Sequence, residues 1–156
     1  MAYAEKTSVS FERSIAEIME LIQKAGADQV GQMQSPNGFA VQFTLADRMV
    51  RFRVPFDTID DMPERDGRNA RLSNTRRQSM VAQSRRQRGR ALLLTVKAKL
   101  ESVESGIETF EQAFLAHVVM ADGQTIYERI GEGIALEYKR GTPSMALLAD
   151  NSGEAQ

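Results

Sequence analysis

Hydrophobic residues recur at helical spacing near the start of the chain. The apolar positions of this first pattern are Ile15, Ile18, Met19 and Ile22. Residues three and four apart share one face of an α-helix, so the pattern predicts an amphipathic helix. Ser10 is a suitable N-cap and Gly26 a suitable stop, which places the helix from Ser10 to about Ala25.

Apolar and polar residues alternate in the next two runs, which is the pattern of β-strands with one buried face. The apolar positions are Phe39, Val41, Phe43 and Leu45 in the first run, and Val50, Phe52, Val54 and Phe56 in the second. A tight turn at residues 46–47 makes the two apolar faces coincide, through the pairs Phe43–Val50, Val41–Phe52 and Phe39–Val54. A weaker strand pattern at residues 29–34, followed by turn residues at 36–38, predicts a third strand.

The second half of the chain is predicted to be helical. A long helix is expected over residues 75–105, with an apolar stripe that is densest in its second half. Gly89 weakens its middle by roughly 1 kcal/mol relative to alanine, so a kink or break there is an alternative. A short helix capped by Thr109 follows. A final helix over residues 125–139 is expected to bury Ile126, Ile130 and Ile134.

Together these elements predict one α+β domain: an N-terminal helix, a three-stranded antiparallel sheet, a long helix and short C-terminal helices. A chain of 156 residues with 42% hydrophobic content can bury one ordinary core. We expect the domain to span residues 1–140, with a mobile basic loop at about residues 57–75, where apolar residues are few. Residues 141–156 are expected to form a flexible tail.

Positive charge is concentrated in one stretch, residues 65–90, which we call the basic segment. It contains nine arginines, no lysine and one acid, Asp66, and so carries +8 in a chain whose total is −1. Residues 1–64 carry −4 and residues 91–156 carry −5. Such segregated charge is typical of surfaces that bind phosphates or an acidic partner.

The chemistry of arginine favours phosphate as the ligand, because its planar guanidinium binds phosphate through two parallel hydrogen bonds. Two arginines on the outer face of the predicted strand pair joined at residues 46–47, and a lysine on the long helix, are added to the arginines of the basic segment as candidates. The candidate nucleic-acid-binding residues are Arg51, Arg53, Arg65, Arg68, Arg71, Arg76, Arg77, Arg85, Arg86, Arg88, Arg90 and Lys97. Two alternatives remain: an acidic protein partner, or a solvated face whose arginines pair internally with acids such as Asp57, Asp60, Asp61 and Glu64.

Aromatic residues are absent between residues 57 and 109. Stacking on unpaired bases would therefore need arginine planes, or solvent-facing side chains among Phe39, Phe43, Phe52 and Phe56. Their alternation with polar residues instead predicts burial. The order helix, three strands, helix also occurs in double-stranded-RNA-binding domains, but the basic cluster of those domains is lysine-rich and compact, so the similarity is one of topology.

No catalytic or metal-binding pattern accompanies the arginines. The chain has no cysteine, one histidine, His117, and no Gly-x-Ser-x-Gly motif. The carboxylates that precede His117 are Glu101, Glu104, Glu108 and Glu111. They lack the Glu-x-x-His spacing of helical metal sites. We therefore expect no enzymatic activity, no metal and no cofactor, and we expect His117 to be a partly buried packing residue.

Two further stretches carry a resemblance to a known family. The first comprises Tyr3–Val9, Glu12–Ser14 and Gly26–Asp28. The second comprises Arg86–Arg88, Arg90–Leu92, Val96–Glu101, Gly106–Ile107, Thr109–Glu111, Phe114–Ala116 and Asp122–Gly123. In both, the chain resembles a family of small proteins from bacteriophages, prophages and related bacterial genomes. The family has no established activity, so the resemblance implies a phage-like origin only.

These observations favour a non-catalytic protein that binds nucleic acid, DNA more than RNA, through an arginine-rich loop and helix. The alternative is a protein-interaction module, an inhibitor or adaptor of a host complex, that binds an acidic partner. An apolar stripe on the long helix makes a homo-oligomer a further expectation. Because no run approaches the roughly 20 apolar residues of a membrane span, we expect a protein of the bacterial cytoplasm with no membrane partner.

Overall fold

The computed structural model describes residues 4–143, and its elements follow the predicted order. They are α1 (Phe11–Lys24), β1 (Asp28–Ser35), β2 (Gly38–Leu45), β3 (Arg48–Pro55), α2 (Asn74–Glu104), α3 (Phe110–Phe114) and α4 (Ile126–Arg140). Single 3₁₀ turns occur at Ile59–Asp61 and Leu115–His117. The protein is therefore α+β, as the sequence predicts. Most of the expected C-terminal tail, residues 144–156, lies outside the described residues.

The three strands form an antiparallel sheet in the order β1-β2-β3. The predicted register between β2 and β3 is confirmed, since Phe43 pairs with Val50, Val41 with Phe52 and Phe39 with Val54. The connecting residues Ala46 and Asp47 have φ angles of 50° and 58°. Two consecutive positive φ angles match a tight hairpin turn whose twist suits the flanking strands, so the turn forms without the usual Asn-Gly sequence.

The core lies between one face of the sheet and the helices α1 and α2. The sheet and both helices contribute side chains with no solvent exposure. These are Ile18 and Ile22 of α1, Val41 and Phe43 of β2, Val50 of β3, and Val96 of α2. Since successive side chains of a strand point to opposite faces, the residues that alternate with these lie on the outer face of the sheet. The inner face thus packs on helices, and the outer face carries the polar positions of the hairpin.

Helix α2 continues through Gly89 as one element of 31 residues. Gly89 is buried, and a Cβ added to it would lie 2.7 Å from Cδ2 of Phe11. That distance is shorter than carbon atoms tolerate, so the glycine lets the first residue of α1 pack directly on the backbone of α2. Close helix packing, rather than a kink, explains the glycine.

Helix α4 departs from the expectation that Ile126, Ile130 and Ile134 are buried. None of its residues is buried, and Ile134 and Tyr138 are 37% and 89% exposed. The helix begins against residues 115–118, where the backbone N–H of Ile126 donates to the carbonyl of Val118 (2.9 Å). The prediction was wrong because periodicity identifies an apolar face but not a surface that covers it.

Candidate nucleic-acid interface

The N-terminal part of the basic segment folds into a small hairpin, residues 64–72, which we call the basic hairpin. The backbone N–H of Leu72 donates to the carbonyl of Glu64 (2.8 Å), and that of Asp66 donates to the carbonyl of Ala70 (2.9 Å). Between these bonds, Arg65 and Arg71 form an antiparallel bridge. The stretch expected to be a mobile loop is therefore hydrogen-bonded to itself, a feature that no hydrophobic pattern marks.

Asp66, the one acid of the basic segment, closes the tip of this hairpin. Its Oδ1 accepts hydrogen bonds from the backbone N–H groups of Arg68 and Ala70, each at 2.9 Å. Asn69 takes a φ of 65°, a conformation that asparagine tolerates better than most residues. The carboxylate thus holds the turn that presents the hairpin arginines.

Four exposed arginines surround this turn and the start of α2: Arg65, Arg68, Arg71 and Arg76. We call them the free arginines. The guanidinium of Arg65 donates only to the carbonyl of Asn69 (3.0 Å), which neutralises no charge. Within residues 4–143 the side chains of the other three have no hydrogen-bond or ion-pair partner. In this part of the chain the four guanidinium groups therefore face solvent without an ion pair, although Glu64 and Asp66 place two negative charges in the same hairpin.

The start of α2 adds positive potential to these charges. Ser73 caps the helix by accepting a hydrogen bond from the backbone N–H of Arg76 (3.2 Å), and the first turn contains no acidic residue. A helix N-terminus carries a partial positive charge that acidic side chains normally offset. Here Arg76 adds to that charge instead.

Arg77 lies beside Arg76 but points into the protein. Its Nη2 donates to the carbonyls of Ile59 (2.7 Å) and Met62 (3.2 Å). These bonds tie the 3₁₀ turn at Ile59–Asp61 to α2. Its Nε is buried and has no hydrogen-bond partner in the described part of the chain. Arg77 therefore fixes the segment that leads into the basic hairpin.

Three arginines further along α2 pair with acids of other elements. Arg88 lies 2.6 Å from Asp57, Arg90 lies 3.4 Å from Glu17, and Arg85 lies 3.9 Å from Glu12. The Arg85 guanidinium also lies over the rings of Phe56 (4.4 Å) and Phe11 (5.1 Å), and its Nε is buried without a partner. Each of these side chains is about one-third exposed. They fasten α2 to α1 and to the chain that leaves β3.

Internal pairing therefore accounts for part of the positive charge. The nine arginines and Asp66 give +8, and the three acids paired across elements reduce this to +5. Arg86 contacts only the neutral side-chain oxygen of Gln83, at 2.6 Å. The internally paired alternative thus describes Arg85, Arg88 and Arg90 of the second half. Arg86 and the free arginines keep their charge.

Arg51 and Arg53 do not share a surface with the basic segment. Both alternate with the buried Val50 and Phe52, so they point away from α2 on the outer face of the sheet. Arg51 donates to the carbonyl of Gly123 (2.9 Å), and Arg53 pairs with Glu128 (3.4 Å). The expectation that they continue the surface of the basic segment is wrong, because strand alternation places them on the face opposite the helices.

Lys97 also lies away from the basic hairpin. It is exposed, two turns beyond Arg90 along α2, in a shallow groove that Glu17, Glu20 and Lys24 of α1 also line. Arg90, which pairs with Glu17, lines the same groove. Lys97 is therefore poorly placed to share a phosphate with the free arginines.

His117 packs as the sequence predicts. Its ring stacks on Phe52 with 4.1 Å between the centroids and 26° between the planes. Burial lowers the pKa of His117 below its ordinary value of 6.5, and the nearby charge of Lys99 lowers that pKa further. The neighbouring carboxylates have other partners, since Glu111 pairs with Arg48 (2.7 Å) and Glu108 accepts from Ser102 (2.6 Å). No group of three acidic or histidine side chains within residues 4–143 is arranged to hold a metal ion.

The aromatic residues considered for base stacking are in the core. Phe39, Phe43, Phe52 and Phe56 are all less than 9% exposed. By contrast, Tyr127 and Tyr138 on α4 are 64% and 89% exposed. The free arginines thus have no aromatic stacking platform among the strands.

Comparison with known proteins gives no relative: no protein-family model, no curated protein and no solved structure matches the chain. None of the helices in residues 4–143 combines the length and the apolar content needed to cross a membrane.

Proposed function

We propose that this protein binds the phosphate backbone of nucleic acid through the free arginines, Arg65, Arg68, Arg71 and Arg76. The set of twelve candidate residues is thereby narrowed. Arg77, Arg85, Arg88 and Arg90 hold the fold together. Arg51 and Arg53 lie on the opposite face of the sheet, and Lys97 lies in the groove between α1 and α2. Arg86, which contacts only Gln83, is a secondary candidate. Contacts to phosphate fix position without reading sequence, so we propose binding with little base specificity and no catalysis.

The observation that carries this proposal is the bridge between Arg65 and Arg71. Residues opposite each other in an antiparallel pair have Cβ atoms about 5 Å apart, and like charges in these positions repel. Asp66 is committed to the turn, and within residues 4–143 Glu64 forms no ion pair with either arginine, so neither acid cancels this repulsion directly. A phosphate held between the two guanidinium groups turns the repulsion into two charge-assisted hydrogen bonds.

An acidic protein surface is the rival ligand, and the exposed apolar residues of α4 favour a protein partner. Tyr127, Ile134, Leu136 and Tyr138 are all more than one-third exposed. Such residues are enriched where proteins meet. The two hypotheses differ in salt dependence, because phosphate binding releases condensed counterions and a packed protein interface does not.

The test is a titration of the purified protein against fluorescent single- and double-stranded DNA and RNA, followed by anisotropy. Four phosphate contacts on duplex DNA predict a loss of affinity of about 100-fold between about 50 and 200 mM salt. Binding that is tight and salt-dependent for one polymer supports the proposal and identifies the ligand. No binding to any polymer at the lower salt contradicts it and favours the acidic protein partner.

A charge-matched control separates the free arginines from net charge. Replacing all four with glutamine removes +4 from the basic hairpin and the start of α2. Replacing Arg13, Arg48, Arg53 and Arg129 with glutamine removes the same charge from surface pairs outside the basic segment. We expect the first variant to lose binding and the second to keep most of it.

A further inference from the structure

The outer edge of β1 is an unpaired sheet edge. β1 pairs with β2 on one side, and within residues 4–143 no strand pairs with its other side. The backbone N–H and C=O groups on that side are thus available to another strand. A bulge between Asp28 and Gly31 interrupts the start of the strand. The regular part, residues 31–35, contains no charged residue and no proline, two of the features that protect such an edge.

The opposite edge of the sheet is protected. Val118 bridges to Val50 of β3, and the backbone N–H of Val119 donates to the carbonyl of Met49 (2.8 Å). β3 also carries three arginines and ends at Pro55. Within residues 4–143, the β3 edge is therefore covered by another segment, whereas the regular part of the β1 edge is not.

We propose that β1 pairs antiparallel with β1 of a second copy of this chain, which forms a symmetric dimer with one continuous six-stranded sheet. The pairing is centred on Gln32, so that Gln32 lies opposite Gln32 of the second copy. Gly31 then lies opposite Met33. The bulge between Asp28 and Gly31, where Gln29 has a φ of 47°, ends the regular pairing at Gly31. No charged residue meets its own copy in this register.

The fit between Gly31 and Met33 selects this register. Both residues lie on the outer face, since Gln32 and Gln34 pair with the inward-facing Val41 and Phe39. Met33 is 70% exposed, whereas a Cβ added at Gly31 would have no neighbour within 4 Å. In the proposed dimer each Met33 covers the open space at Gly31 of the second copy. The match occurs twice because of the two-fold axis.

The inner side of the same edge offers an apolar surface for the second copy. A groove of about 450 Å³ runs between α1 and β1, and Phe11, Ile15 and Met19 form its apolar wall. In a continuous sheet the next strand lies about 4.8 Å further out and covers part of this groove. Apolar burial thereby adds to the hydrogen bonds of the strand pair.

Because Gln32 lies opposite its own copy, a charge introduced at this position tests the dimer. The mass of the full chain in solution is measured by sedimentation or light scattering, without nucleic acid. Wild type is expected at twice the 17.4 kDa mass of the chain at micromolar concentration. Gln32→Lys and Gln32→Glu each place like charges opposite each other, and each is expected to dimerise about fivefold or more weakly. Their mixture is expected to regain dimerisation. Gln23→Lys, on an exposed position of α1, is the control.

Disulfide formation gives a second readout, because the chain contains no cysteine. Gln32→Cys is expected to cross-link to itself on mild oxidation, and Gln23→Cys is not. Circular dichroism verifies that each variant is folded. A monomeric wild type overturns the proposal. So does a dimer that neither responds to the Gln32 charges nor cross-links at position 32. Neither outcome bears on phosphate binding by the free arginines.

Discussion

The guanidinium of Arg88 lies 2.6 Å from Oδ1 of Asp57 and joins the middle of α2 to the chain that leaves β3. Ser84 donates to the other oxygen of the same carboxylate. This arrangement shows that an arginine-rich stretch contains two kinds of arginine. Those that face other elements of the fold serve its stability, and those that face solvent are available to a ligand.

Breaking the Arg88–Asp57 pair is expected to destabilise the fold without removing a ligand contact. In a double-mutant cycle of Arg88→Gln and Asp57→Asn, we expect a coupling energy of about 1 kcal/mol, because both side chains are partly screened from solvent. The cycle is measured by urea unfolding. The matched control is the more exposed pair of Arg48 and Glu111, for which we expect less than half that coupling. Equal couplings would contradict the structural role assigned to Arg88.

Substituting Gly89 with alanine is expected to destabilise the protein although alanine favours helices. The added Cβ meets the ring of Phe11 at 2.7 Å and its Cα at 3.3 Å. Overpacking of this kind costs about 1–3 kcal/mol, which exceeds the gain of about 1 kcal/mol in helix propensity. Urea unfolding of Gly89→Ala measures the net effect of overpacking and helix propensity on the free energy of unfolding. Ala91→Gly, at an exposed position of the same helix, is the control for propensity alone. A stabilised Gly89→Ala would show that α1 does not pack closely at this point.

His117 is expected to make stability depend on pH between neutral pH and the acidic range. Burial lowers the pKa of His117 below 6.5, so the folded state binds its proton only at lower pH than the unfolded chain does. As pH falls through about 6.5, the unfolded state gains a proton first, and the free energy of unfolding decreases. The decrease ends once pH drops below the folded-state pKa.

The measurement is urea unfolding at about pH 7.5 and about pH 5.5, a range in which ordinary carboxylates stay ionised. His117→Phe keeps a ring that can stack on Phe52 but binds no proton. We expect this variant to lose less stability than wild type over the same range. The same loss in both proteins would rule out His117 as the source. Below about pH 4.5 a separate loss is expected, because backbone hydrogen bonds lower the pKa values of Asp61, Asp122 and Glu128.

Asp66 is expected to weaken ligand binding while it shapes the hairpin. Asp66→Asn keeps an oxygen that can accept from Arg68 and Ala70 but removes the negative charge. We therefore expect roughly two- to fivefold tighter binding to duplex DNA, equivalent to ~0.5–1 kcal/mol. Asp66→Ala removes the acceptor as well and is expected to bind less tightly than Asp66→Asn. Anisotropy titrations compare the three proteins. If Asp66→Asn binds more weakly than wild type, the hairpin charges do not face the ligand.

The sequence predicts the fold well because its strongest signals are local. Alternation fixes the β2–β3 register, and caps and glycines delimit α1 and α2 within one or two residues. The sequence does not reveal which arginines are free. That depends on the tertiary contacts of Asp57, Glu12 and Glu17, which lie up to 73 positions from their partners. The hairpin around Asp66 is also missed, since backbone hydrogen bonds in a polar turn leave no hydrophobic pattern.

The central claim is that the free arginines contact phosphate, and the salt dependence of DNA binding tests it most directly. The affinity of wild type and of the four-glutamine variant for a short DNA duplex is measured from about 50 to 200 mM salt. Each phosphate contact contributes about 0.9 to the slope of log affinity against log salt concentration, so the variant is expected to lose about 3 to 4 from the slope. An unchanged slope and affinity would contradict the claim.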